Sequence, residues 1–497
     1  MKASSIFKLL YRKGFHLKRT TRSFPTRRFY YASTIAVFLS AVVILASQLA
    51  FVPAHKATAR STGVFMGQHG QVLLQAGSVP PSDAYCKAKF GIDCYGPQQM
   101  QKIYTITPLL TAGYTGKGQT IVIIDSYGSP TITQDLKTFD AGFGIPDPPS
   151  FKILAPLGVH TFNDSVADDD SWALETTLDV EWAHAIAPAA NIVLLTSPVD
   201  ETQGIQGLPE FLQLEQYALN NHLGNIISQS WGTAENTLFY TATTPTKGPM
   251  HSNAVARINA NMPIFDEFNT FYQQAAAQHV TVFATSGDYG TANDVVTQDN
   301  VFPYPTVLFP GSSPYVTTVG GTQLQTNTDG SYRGEVAWDV APYVATGGGI
   351  SQHYAEPSYQ SATLPTAMQQ QLHGYRGVPD IAYNASAGSS VLMYMSFRGA
   401  GTKGYYNVGG TSEGAPQWAG ITAIADQYAH RSLGFLNPAL YSLAHSPAYA
   451  QDFHDITQGY NGLYGVPGYN AGTGWDLLTG WGSPNVTNLV HDLANIP

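Results

Sequence analysis

The segment Asn407–Gln427, NVGGTSEGAPQWAGITAIADQ, sets Ser412 behind two glycines and just ahead of a helical pattern. The glycines permit a tight backbone turn, and Pro416 is tolerated in a first helical turn. A serine at such a helix start sits in a positive partial field beside free backbone N–H groups. That setting suits a nucleophile whose attack creates an oxyanion, and it also describes an ordinary N-cap. A nucleophilic serine needs a base, yet none of the 14 histidines has a context that nominates it; His184, His279 and His454 read as structural. Carboxylates offer another route. In WALETTLDVEWAHAIAP, Glu175 and Asp179 stand four residues apart and share one face of an expected helix. Like charges at that spacing tend to share a proton, which raises one pKa. A carboxylate that stays basic at low pH can take the serine proton while its neighbour holds it in place.

Two further segments carry chemistry. In FATSGDYG, Phe283–Gly290, Asp288 follows a buried strand and a Ser-Gly turn, so its carboxyl can point into a cleft. Protonated, it can donate a hydrogen bond to an oxyanion alongside the Ser412 backbone N–H. Near the C-terminus, FHDITQG is followed by AGTGWDLLTGWGSPN. There Asp455 and Asp476, with the carbonyls of Ile456, Gly472 and Gly474, offer the all-oxygen shell that Ca²⁺ prefers, and a plain glycine-rich loop is the alternative.

The elements that must position these groups are legible as short apolar runs alternating with helical patterns. Gly118–Asp125, Ala190–Leu195, Gly224–Gly232, His279–Gly287 and Pro314–Gly321 read as buried strands, rich in Val, Ile and Thr and closed by glycine or polar turns. Leu174–Ile186, Leu208–Asn221 and Asn269–Gln278 read as helices. This alternation predicts an α/β fold with a mostly parallel central sheet and helices on both faces. Active sites of such folds gather at the carboxyl ends of strands.

Composition narrows the partners. Of 24 Lys and Arg, nine fall in the first 28 residues, and no acid precedes Asp83, so the rest of the chain carries 15 basic against 34 acidic residues. Such a surface excludes nucleic acid as a partner, because phosphate binding needs clustered cations. The basic tail, 1–28, is expected to stay in the cytoplasm, with 29–53 as a transmembrane anchor or signal segment that exports the remainder. Residues 54–94 read as a juxtamembrane segment or reduced pro-segment, and 95–497 as one catalytic domain. The product is extracytoplasmic, membrane-anchored or secreted. Cys86 and Cys94 are the only cysteines; a small disulfide loop and two buried thiols both fit the spacing.

Taken together, the segments around Glu175, Asp288, Ser412 and Asp455 resemble, in order and type, those of the sedolisins, the serine-carboxyl peptidases. The connecting segments FPGSSPYVTTVGGT, EVAWDV, TGGGIS and RGVPDIAYNA resemble them too, and the likeness runs from about Tyr95 to Asn485. The resemblance implies a subtilisin-like fold and acid-active endopeptidase chemistry. Ser412 would attack the peptide carbonyl, Glu175 take its proton, Asp179 orient Glu175 and Asp288 stabilise the oxyanion. One structural Ca²⁺ would be held by Asp455, Ile456, Gly472, Gly474 and Asp476. The expected partners are protein or peptide substrates and, through the N-terminal helix, a membrane; the chain is expected to act as a monomer. The rival readings are a glycoside hydrolase using Glu175 and Asp179, which leaves Ser412 and Asp288 idle, and a non-catalytic surface binding protein retaining the peptidase fold.

Overall fold

Successive residues of a strand face opposite ways, and the fold sorts the apolar runs accordingly. In β1 (Thr120–Ser126), Ile121 and Ile123 join one buried cluster while Val122 and Ile124 join another on the opposite face. The same division holds for Ile226 against Ile227 and for Phe283 against Val282. Near-continuous burial of this kind marks strands covered on both sides, as in parallel sheets. The computed structural model describes residues 73–200, 207–239, 264–294, 301–398 and 402–496, all within one unit that extends from Ser61 to Pro497.

The other strands of the central sheet are β2 (Phe151–Leu154), β3 (Asn191–Ser197), β4 (Ile226–Gln229), β5 (Thr281–Thr285), β6 (Thr317–Thr326), β7 (Tyr332–Ala337) and β8 (Ile381–Asn384). They run in the order β7-β6-β5-β4-β1-β3-β2, and β8 also pairs with β6. Every pairing is parallel except β6 with β7. One face is covered by α1 (Ile132–Phe143), α2 (Ala167–Ile186) and α5 (Gly414–Ala429), the other by α3 (Leu208–Asn220) and α4 (Ile264–Ala277). The expected α/β layering is therefore present.

Helix α2 starts seven residues earlier than the apolar pattern indicated. Asp168, Asp169 and Asp170 occupy its first turn, where acids favour the positive end of the helix dipole. It ends at Ile186, just before Ala187-Pro188, because the residue ahead of a proline is pushed out of helical geometry. From Trp172 to Ile186 every residue is buried, so this helix lies inside the protein rather than on it. Helix α5 packs against it at Gly420, where a Cβ would stand 2.7 Å from the Ile186 Cβ. Only glycine permits that approach.

A second sheet, four-stranded, delivers the serine. Its order is Leu73–Ala76, Gly404–Val408, Ser389–Met395, Asp93–Tyr95. Cys86 and Cys94 are joined by a disulfide with their Cα atoms 6.0 Å apart, which resolves the alternatives left open by their spacing. The basic tail and the apolar stretch 29–53 lie outside the described residues. Among the described residues, no helix is long and apolar enough to cross a membrane.

Candidate active site

Ser412 lies in a single 3-10 turn, Thr411–Glu413, between the strand Gly404–Val408 and α5. Gly410 opens the turn at φ 144°, a conformation that favours glycine, and its N–H is held by the Ala385 carbonyl at 2.7 Å. Glu175 and Asp179 lie one helical turn apart on α2, as their spacing required, and both are buried. The Ser412 hydroxyl faces Glu175 and favours its ionised form. Neither Glu175 oxygen has a partner at full hydrogen-bonding distance, so the approach is a loose one, of the kind that tightens when substrate binds. Asp179 Oδ1 accepts the Ser230 hydroxyl at 2.9 Å, and that hydroxyl also lies 3.5 Å from the Ser412 carbonyl.

A third acid completes the group. Asp125, at the carboxyl end of β1, is fully buried, and neither of its oxygens has a partner at full hydrogen-bonding distance among the described residues. Burial pushes its carboxyl up to about 7, opposed by the Thr176 hydroxyl. Burial also lifts Glu175 and Asp179 well above the usual carboxylate range, and the charge of Asp125 adds to both shifts. Asp288 raises Glu175 further, and Glu175 raises Asp179. No cation is among the groups that shift these carboxyls. Three buried acids in mutual range cannot all ionise, so they hold protons in common and titrate as a unit. Sequence reading missed Asp125. The available signal was an acid ending the strand IVIID at the edge where such sites form.

Asp288 sits beyond β5, linked to the serine turn from the other side. Its Oδ1 accepts the Thr411 N–H at 2.9 Å and the Thr411 hydroxyl at 2.7 Å. Because that hydroxyl's one proton goes to Asp288, its oxygen accepts from the Gly287 N–H at 3.0 Å and from the Thr285 hydroxyl. The second oxygen, Oδ2, is buried without a partner. Burial raises this carboxyl to about 6 against the opposing Thr411 contacts. Below that pH, a proton on Oδ2 leaves one free O–H donor beside the Thr411–Glu413 turn.

The C-terminal acids and glycines also come together. Gly474 N–H reaches both Asp455 oxygens at 3.1 Å, and Gly472 N–H reaches Asp476 Oδ2 at 2.8 Å. Asp476 Oδ1 accepts the Leu478 and Thr479 N–H groups and the Thr479 hydroxyl. Among the described residues, no cluster of three or more His, Cys, Asp or Glu side chains is poised to hold a metal ion.

The subtilase family matches residues 179–440, a span holding Asp179, Asp288 and Ser412. Kumamolisin of Bacillus sp. (strain MN-32) is 33% identical over 386 residues, covering 77% of this chain and 61% of its own length. Sedolisin of Pseudomonas sp. (strain 101) is 31% identical over 411 residues, covering 80% of this chain and 60% of its own. The chain thus spans about 60% of the length of these relatives. A solved structure of Pseudomonas sedolisin, a serine-carboxyl proteinase, complexed with two molecules of pseudo-iodotyrostatin is similar at a TM-score of 0.64 and 28% identity. The match covers 80% of this chain and 98% of that one.

Proposed function

This chain belongs to the subtilase family, in its sedolisin branch, and on that premise we propose that it is an acid-active serine-carboxyl endopeptidase. The observation that carries the reading is the convergence of buried, cation-free carboxyls on one turn-borne serine: Glu175, Asp179 and Asp125 from one side, Asp288 from the other. Idle acids in such surroundings are costly, and here each has a task.

Ser412 Oγ attacks the substrate carbonyl carbon as Glu175 takes its proton. The charge that develops on the carbonyl oxygen is met by the free O–H of neutral Asp288 and by the Ser412 backbone N–H. Glu175 then returns the proton to the departing amine nitrogen, leaving an acyl group on Ser412. Water, deprotonated by the same carboxylate, hydrolyses the acyl-enzyme and restores the serine. Asp179, fixed by Ser230, and Asp125 share protons with Glu175 and hold its charge steady through the cycle. Acid is required because rising pH strips the proton from Asp288 and crowds negative charge around Glu175.

The same reading assigns one structural Ca²⁺ to Asp455, Ile456, Gly472, Gly474 and Asp476. Two carboxylates converge on a single glycine-bearing loop, and no described hydrogen bond uses the carbonyls of Ile456, Gly472 or Gly474. That all-oxygen donor set fits a hard cation. Bound there, the ion would tie the loop after Phe453 and His454 to the segment 472–476 and supply no catalytic step. The basic tail and apolar stretch 29–53 support export, with protein or peptide substrates met outside the cytoplasm and the active chain a monomer.

The test is hydrolysis of denatured protein by the full chain across acidic to neutral pH, wild type beside Ser412→Ala. Cleavage confined to acid and to the wild type supports the reading. A folded, inert wild type points instead to a binding protein in a peptidase's fold.

A further inference from the structure

The strand that brings Ser230 to Asp179 is held from the opposite face of the sheet. Neighbouring residues of an extended chain point to opposite sides. Ser230 turns to α2, where its hydroxyl donates to Asp179 Oδ1 at 2.9 Å and lies 3.5 Å from the Ser412 carbonyl. Gln229, which ends β4, and Trp231 flank it; both are fully buried, and their side chains meet α3 and α4. Gln229 Nε2 donates to Glu215 Oε1, and the Tyr272 hydroxyl donates to the same oxygen at 3.0 Å. The Trp231 ring meets Phe211 edge-on, with centroids 4.7 Å apart, and lies 6.3 Å from Phe268.

The two helices hold these neighbours in the same way. Phe211 and Glu215 are one turn apart on α3, and Phe268 and Tyr272 are one turn apart on α4. The two phenyl rings take Trp231, while the carboxyl and the phenol take Gln229. Ser230 is therefore fixed through the residues on both sides of it. A rotation of the strand end would move the Gln229 and Ser230 side chains together, because they leave one backbone on opposite faces. Glu215 is fully buried, has no part in the chemistry above, and its Oε2 has no partner among the described residues. A buried acid is costly, and an apolar side chain would fill this layer at least as well. What Glu215 adds is an acceptor for the amide that ends β4.

We propose that Gln229 is a positioning residue: held by Glu215 and Tyr272, it fixes the end of β4 so that the Ser230 hydroxyl stays on Asp179 and beside the Ser412 turn. The active-site acids are then set in part from the far side of the sheet. The inference rests on the peptidase reading with Ser412 as nucleophile, and the experiment separates the two claims.

Peptide hydrolysis in acid is followed for wild type, Gln229→Met, Ser230→Ala and the double variant, with Ser412→Ala as control. Methionine keeps the length of glutamine and removes its amide. Gln229→Met should lower kcat about tenfold or more with KM within about twofold, since a small misplacement caused by a distant change costs up to about 10² in rate. Both substitutions release the same hydroxyl contact, so the double variant should fall no more than about threefold below the slower single variant. Glu215→Gln, whose amide carbonyl accepts from both Gln229 and Tyr272, should keep kcat within about threefold of the wild type. Tyr272→Phe, which removes one hydroxyl alone, should lower kcat about threefold with KM held. An unchanged kcat in Gln229→Met, losses that multiply in the double variant, or a loss in Glu215→Gln as deep as that in Gln229→Met overturns the proposal. Failure of both Gln229→Met and Tyr272→Phe to fold does so as well. Activity in Ser412→Ala would instead remove the nucleophile assignment on which it stands.

Discussion

On the proposed mechanism, replacing Asp288 by asparagine isolates the part of the pH dependence that belongs to the oxyanion donor. The structure gives Asp288 one oxygen committed to Thr411, at 2.9 and 2.7 Å, and one oxygen free and buried. An asparagine keeps the first as its carbonyl and puts a permanent N–H₂ donor where the second stood. Burial sets the wild-type carboxyl at about 6, so its O–H donor is present below that pH and falls about tenfold for each unit above it. The measurement is kcat/KM for one soluble peptide across acidic to neutral pH, expressed as variant over wild type, which cancels every group the two proteins share. We expect Asp288→Asn to lie within about tenfold of the wild type in acid and the ratio to rise about tenfold per unit above pH ~6. Asp288→Ala, with no donor at any pH, should lose about 10² to 10³ in acid and converge on the wild type as that protein loses its own proton. Parallel decline of Asp288→Asn and wild type above pH ~6, or full activity of Asp288→Ala in acid, would refute the reasoning.

Asp125→Asn should leave the rate in acid within about threefold and move the alkaline limb of kcat to lower pH, because it removes the charge that raises both Glu175 and Asp179; a pH–rate profile checks it. Folding stability should fall as pH rises from about 4 toward about 7. Asp125 and Asp426 are raised to about 7 and Asp288 to about 6, so the folded chain binds more protons than the unfolded one in that window. Their stability is fully present below the ordinary carboxylate pKa and lost as pH climbs through the folded values, at about 1.4 kcal/mol per group per unit, and thermal melting of the inert Ser412→Ala chain reads it out. Gly420→Ala should destabilise by about 1 to 3 kcal/mol, since its new methyl meets the Ile186 Cβ at 2.7 Å and two buried helices must separate; denaturant unfolding measures it. Chelation of Ca²⁺ should lower the melting temperature, and Asp476→Asn should abolish that sensitivity to chelator.

The strand-helix order was legible because the buried runs are uniform in type and end in glycine or polar residues. Boundaries shifted where local chemistry outweighed apolar pattern. The acids opening α2 extended it from the expected Leu174 back to Ala167, and Thr322–Thr326 extended β6 because β7 pairs with them. Glu175 and Asp179 could be paired from spacing alone, since four residues are one helical turn. Asp125 could not be joined to them, because it lies 50 residues upstream and only the packing of α2 on β1 brings it near. Glu413 follows Ser412 directly but carries no signal in the sequence, since its contact with Asn384 comes from another strand, 29 residues away. Two cysteines eight residues apart left pairing open because that spacing permits a disulfide without requiring one.

The central claim is that Ser412 is activated by carboxyls, and pre-steady-state cleavage of an activated peptide ester in acid tests it most directly. Wild type should release the leaving group in a burst and trap an acyl group on Ser412. Glu175→Gln should fold, show no burst and be as inert as Ser412→Ala. A full burst from Glu175→Gln, or an acyl group found on any residue other than Ser412, would contradict the account.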